Sequence, residues 1–189
     1  MSRFESINTI YHRWMHSYGY GIQSPSVYYY IKYVLNDQSL YYSYDELLNN
    51  GNLYNNHEIK LLRLYFRLAN FHQPHVWLDL CDVDDSICYY IKAGCHKTKY
   101  LSVSKTSLFP NIDIARIVDD NRDNYEQLLR LFSPHSIMIV NHIRDDNHMF
   151  SFWNEILADN RTGLTIDMFS TGIVFFDNRP KQNYTIFLR

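Results

Sequence analysis

The sequence predicts an α/β protein: a three-layer sandwich around a mostly parallel sheet that ends in an antiparallel hairpin, preceded by a helical N-terminal extension. Three observations predict it. From His75 onward, short apolar runs alternate with helical patterns on short connections, as parallel strands covered on both faces require. After Gly163 three extended runs follow one another with no helix between them. Residues 1–72, in contrast, carry helix-start signals and no strand pattern. The expected organisation is a helical extension over residues 1–72 packed on an α/β domain over residues 73–189, the two forming one structural unit.

The elements follow in order. Gly19-Tyr20-Gly21 reads as a turn. Ser24-Pro25 pairs an N-cap residue with proline at the first helical position and opens a helix through about Leu35. Ser43-x-x-Glu46 is a capping box, and Asn55-x-x-Glu58 starts a helix ending near Asn70. That helix carries two apolar stripes, Ile59-Leu62-Phe66-Ala69 and Leu61-Leu64-Leu68, so it is expected to bury two sides. Val76–Leu80 is a strand, Ser86–Ala93 a helix closed by Gly94, Lys99–Val103 a second strand and Ile112–Val118 a third. Asp123-x-x-Glu126 caps a helix through Phe132, and Ser136–Val140 is a continuous apolar strand. Met149, Phe152, Trp153, Ile156 and Leu157 then keep helical spacing. Leu164–Phe169 and Gly172–Phe176 pair as a hairpin across Ser170-Thr171, and Tyr184–Leu188 is the final run.

Bulk properties narrow the function. A net charge of -2 over 189 residues gives no basic field for a polyanion, which argues against a nucleic-acid partner. Cys81, Cys88 and Cys95 lack a paired metal-ligand spacing and read as reduced thiols of a cytoplasmic protein. The N-terminus has no signal-peptide pattern, and no apolar run is long enough to span a membrane. The many tyrosines of the first helices suggest a surface for a homodimer or another protein partner.

The most informative stretch is Trp77-Leu78-Asp79-Leu80-Cys81-Asp82-Val83-Asp84-Asp85-Ser86, a strand running through a tight loop into a helix. At such a junction glycines let backbone approach a nucleotide and helix N–H groups face it. No glycine lies between Trp77 and Ala93 here, and aspartates fill the loop.

With this order of elements the chain resembles the class I S-adenosylmethionine (SAM)-dependent methyltransferases, whose Rossmann-like sheet ends in an antiparallel hairpin. More narrowly it is similar to short bacterial methyltransferase-like proteins with a helical N-terminal extension. The resemblance rests on Gly21-Ile22-Gln23-Ser24-Pro25-Ser26-Val27, Leu64-Tyr65-Phe66-Arg67-Leu68, Trp153-x-x-Ile156, Ile166-Asp167-Met168-Phe169-x-x-Gly172-Ile173-Val174-Phe175-Phe176 and Lys181-Gln182-x-Tyr184. It covers nearly the whole chain, in residues at its ends and in pattern at its middle.

The resemblance implies SAM as the cofactor of any activity and assigns its pocket to Asp79, Cys81, Asp82, Asp85, Ser104, Asn141 and His142. Asp79 keeps the family's acidic position at the end of the first strand. Cys81 and Asp85 stand where the family has glycines, and any Cβ removes the freedom that glycine supplies. Ser104 replaces the acid for the ribose hydroxyls, and a neutral hydroxyl holds them more weakly. Asn141 and His142 replace an acidic pair, and the helix between the second and third strands shrinks to Thr106–Asn111 around Pro110. Four departures on one surface predict a methyltransferase-like protein that has lost SAM binding and catalysis and serves as a binding or scaffold protein. The alternative is an active methyltransferase with an altered pocket, using Asp79 to hold the cofactor's amino end.

Two other enzyme readings stand beside these. Asp82 and Asp84 superficially resemble the Asp-x-Asp loop of magnesium-dependent phosphotransferases, which Asp119-Asp120 would complete. His142, near Arg144, Asp145 and Asp146, has the residue types of an acid–base site, although Asp145 or Asp146 also suits a helix N-cap. His12 and His16 share a helix face but lack a third ligand, so no metal site is expected.

Overall fold

The computed structural model describes residues 7–41, 44, 54–82, 84–102 and 111–189. The Ser43-x-x-Glu46 box, Ser104 and the Thr106–Pro110 segment lie outside the described residues.

Helices α1 (Ile7–Ser17) and α2 (Pro25–Tyr30) are separated by a turn in which Gly19 and Gly21 both take positive φ. The second helix continues as a π-helical turn over Ile31–Leu35. Helix α3 (Asn56–His72) starts on the expected capping box: Asn55 accepts from the Glu58 amide and Glu58 answers to the Asn55 amide. It runs past Asn70 and stops where Gln73 turns left-handed. Both of its stripes are buried from Leu62 onward, with Ile59 and Leu61 half-buried. One side packs on the sheet through Tyr65 against Trp77, and Arg67 on the other donates to the carbonyls of Val34 and Leu35.

The remaining elements are β1 (Val76–Leu80), α4 (Asp85–Gly94), β2 (Lys99–Ser102), β3 (Ile112–Ile117), α5 (Arg122–Leu131), β4 (Phe132–Val140), α6 (Asn147–Ala158), β5 (Leu164–Asp167), β6 (Gly172–Phe175) and β7 (Gln182–Thr185). They form one seven-stranded sheet in the order β2-β1-β3-β4-β6-β5-β7. Strands β2, β1, β3 and β4 are parallel, β6 runs antiparallel to both β4 and β5, and β7 lies parallel to β5. The predicted architecture is therefore the observed one. Period-two alternation divides the core: Trp77, Ile114 and Ile139 face α3 and α4, while Leu78, Ile117 and Val140 face α5 and α6.

Three local expectations are corrected. Asn121 caps α5, accepting from the Asn124 amide, and Asp123 lies inside the first turn. Strand β4 begins at Phe132, ahead of Ser136, because a register shift against β3 accommodates Pro134, which has no N–H for the ladder. Gly94 ends α4 without a left-handed cap, and what it supplies is close approach: a Cβ there would sit 2.4 Å from the Phe66 carbonyl oxygen of α3. Since that oxygen is helical backbone, Gly94→Ala is expected to destabilise by about 1–3 kcal/mol. Equilibrium denaturation checks this, and an unchanged midpoint would mean the two helices separate without penalty.

Candidate functional site

The order β2-β1-β3 means that the chain leaves β1 first to one side and later returns on the other. At such a switch point a ligand crevice opens outside the carboxyl ends of the strands. The residues there are the end of β1, the Cys81–Asp85 loop, the end of β3 and the segment after β4.

Asp79 is in register with Arg116 on β3 and with Ser102 on β2, so all three occupy one level of the sheet. A lone carboxylate in a buried strand requires neutralisation, and Arg116 supplies it. Its Nε and Nη2 donate to Asp79 Oδ2 at 3.0 and 2.8 Å, and the Tyr100 hydroxyl donates to the same oxygen at 2.9 Å. The Cys81 thiol reaches Oδ1 at 3.2 Å. Asp79 is 0% exposed and Arg116 5%. Desolvation opposes the Arg116 charge, Tyr65 and Asp79 outweigh it, and the net shift keeps the guanidinium protonated. Arg116 Nη2 also lies 2.9 Å from the Cys81 sulfur. Burial, reinforced by Asp79 and opposed by Arg116, pushes the Cys81 thiol up to about 12, so no thiolate nucleophile forms at neutral pH.

The other predicted residues separate around this pair. Asn141 is buried and donates through Nδ2 to the Tyr65 hydroxyl at 2.6 Å, while its Oδ1 is buried without a partner among the described residues. Tyr65 in turn places its ring 5.7 Å beneath the Arg116 guanidinium. Burial raises the Tyr65 hydroxyl's pKa, so it stays a neutral hydrogen-bonding group. His142 adopts a left-handed backbone, φ 60°, and pairs at 2.7 Å with Asp145 in an exposed turn. Asp146 caps α6 through the Met149 amide. Asp82 and Asp85 are exposed, and Asp84 caps α4 by accepting from the amides of Ser86 and Ile87. Asp119 and Asp120 accept within their own turn, from Asn121 and Arg122. Among the described residues no three His, Cys, Asp or Glu side chains converge to hold a metal ion. The acids of the Asp-rich loop act as caps and solvated side chains.

Sequence reasoning missed Arg116, Tyr100 and Tyr65 as members of this cluster. It also missed a second one. Asp167, at the end of β5, receives Arg13 from α1 at 2.9 Å, Arg144 at 2.7 and 3.0 Å and the Trp153 indole at 3.3 Å. Trp153 covers Gly172 so closely that a Cβ there would meet its ring at 2.3 Å. The Trp153, Asp167 and Gly172 motif positions that carried the resemblance thus hold the fold together at the sheet's far side.

A parallel sheet closed by an antiparallel pair, with helices on both faces, is the fold of the class I SAM-dependent methyltransferases. Solved structures agree with it. A candidate O-methyltransferase from Klebsiella pneumoniae superposes with a TM-score of 0.53 at 13% identity, covering 79% of this chain and 94% of that one. An O-methyltransferase from Bacillus cereus in complex with S-adenosylhomocysteine (SAH) gives 0.50 at 13% identity, over 76% and 96%. An SAH-bound methyltransferase from Podospora anserina gives 0.50 at 10% identity, over 94% and 91%. No sequence-family model and no curated protein sequence matches the chain.

At the switch point the described residues enclose Asp79. Asp79 has no exposed atom to offer the cofactor, and its oxygens already accept from Arg116, Tyr100 and Cys81. The Arg116 guanidinium lies at the strand level of Asp79 and Ser102. Cys81 turns its thiol inward onto this pair in place of a glycine's open backbone.

Proposed function

We propose that this chain is a methyltransferase-fold protein that has lost SAM binding and methyl transfer, and that it works by binding another molecule. The observation that carries this reading is the Asp79–Arg116 pair. The one acidic residue retained at the cofactor position is buried and satisfied by a cation from the neighbouring strand. Freeing Asp79 for a ligand requires breaking a desolvated ion pair, which opposes cofactor binding by several kcal/mol. The outward side of α1 supports the binding half: Ile7, Tyr11, Trp14 and Tyr18 are exposed at helical spacing, an arrangement suited to a homodimer or other protein contact.

Titration calorimetry with SAM and with SAH tests the proposal on the full chain. The expected result is no saturable binding of either at millimolar concentration. Micromolar binding of either would overturn it and favour a methyltransferase with an altered pocket.

A further inference from the structure

At the opposite pole of the sheet, the amino ends of β1, β3 and β4 surround a cavity of about 580 Å³. That volume lies within the range of small-molecule sites, about 300–1,000 Å³. Nothing in the switch-point chemistry uses it. Three of its walls are the rings of Tyr30, Phe71 and Phe175. Tyr30 meets Phe71 and Phe175 edge-on, with centroids 5.6 and 5.2 Å apart, which fixes the walls relative to one another.

The lining also carries polar side chains, among them His72, His75, His135, Asp113, Asp177 and Arg179. Arg179 lies over Phe175 and is neutralised by its ion pair with Asp177. His72 shares a 2.8 Å hydrogen bond with the Tyr30 hydroxyl through Nε2, and its Nδ1 has no partner among the described residues. Burial pushes the His72 imidazole down to about 4, so at neutral pH it is an uncharged hydrogen-bonding group. Asp113 uses only Oδ2, which accepts from the amides of His75 and Val76 at 2.7 and 2.9 Å. Its Oδ1 has no partner among the described residues, and Asp113 is the one lining carboxylate without a cation beside it.

Aromatic faces and a half-engaged carboxylate attract the same thing, an organic cation carrying a flat apolar body. A carboxylate ligand would meet Asp113 as a like charge. We propose that this cavity binds a small aromatic amine in its ammonium form, the ring packing against Tyr30, Phe71 and Phe175 and the ammonium pairing with Asp113.

Titration calorimetry of the full chain with tyramine, set against 4-hydroxyphenylacetate, tests the charge preference without any variant. Tyramine is expected to saturate at micromolar to low-millimolar concentration, and the acid to bind at least about tenfold more weakly, a difference of roughly 1.4 kcal/mol. Asp113→Asn keeps an acceptor for both amides and removes the charge, so tyramine is expected to weaken by about tenfold. Phe71, on the exposed rim, gives a second variant: Phe71→Ala should retain the wild-type circular dichroism spectrum and also bind tyramine less tightly. Equal affinity for amine and acid, saturation by neither probe in the millimolar range, or unchanged tyramine affinity in both folded variants would each overturn the proposal.

Discussion

Breaking the Asp79–Arg116 pair from one side is expected to cost on the order of 3–5 kcal/mol of folding stability. Arg116→Met leaves a carboxylate that is 0% exposed, with only Tyr100 and Cys81 as donors. Asp79→Leu leaves a guanidinium facing the ring of Tyr65 and the sulfur of Cys81. Replacing both, Asp79→Leu with Arg116→Met, removes the desolvation penalty along with the attraction and is expected to recover most of the loss. Urea denaturation of the four proteins, read at constant m, closes the cycle. A loss below about 1 kcal/mol for Arg116→Met would place the pair among surface bridges, and the case for a blocked cofactor position would fall with it.

The second large effect is expected at Asp167. Asp167→Asn leaves Arg13, fully buried, and Arg144, mostly buried, without their shared anion, again about 3–5 kcal/mol. Arg13→Met should cost less, because Arg144 still neutralises the carboxylate. Burial raises the Asp167 pKa, and Arg144 with Arg13 more than reverses this, so the folded value lies below the ordinary one. The sign follows from linkage: this stabilisation is fully present above the unfolded carboxylate value, about 3.9, and is lost as pH falls through the lower folded value. Wild-type stability should therefore drop in acid over that window, and Asp167→Asn should lack that component. Parallel acid dependence in the two proteins would show that Asp167 is not the group responsible.

Local pattern was enough for the order of helices and strands, because capping at Asn55, the apolar run Val76–Leu80 and the closing hairpin are all short-range signals. It also marked Asp79 as the acid kept at the end of the first strand and Cys81 as standing in a glycine's place. It could not supply Arg116, which is 37 positions from Asp79 and meets it only through parallel register. A usable signal was present nonetheless: Asp79 is the one charge in Val-Trp-Leu-Asp-Leu, and Arg116 stands among apolar residues in Ile-Ala-Arg-Ile. Asp123 was misread as a cap because Asn121, two residues earlier, is equally good at the task. The cavity at the amino ends of the strands draws its lining from α2, α3, β3, β4, β6 and their loops, and has no sequence signature at all.

Arg13 has a consequence for the order of events during synthesis. It donates to the Ile186 carbonyl across 173 positions, and Ser17 and Asn36 both reach the carbonyl of Phe187. A ribosome therefore releases α1 long before its anchors exist, and the helix must wait with Arg13 and Ser17, buried in the folded protein, uncovered while the sheet assembles behind it. Docking of the first helix becomes one of the last steps of folding, a seal that closes once β7 has emerged. Until then the nascent chain has its greatest exposure to chaperones and to like chains.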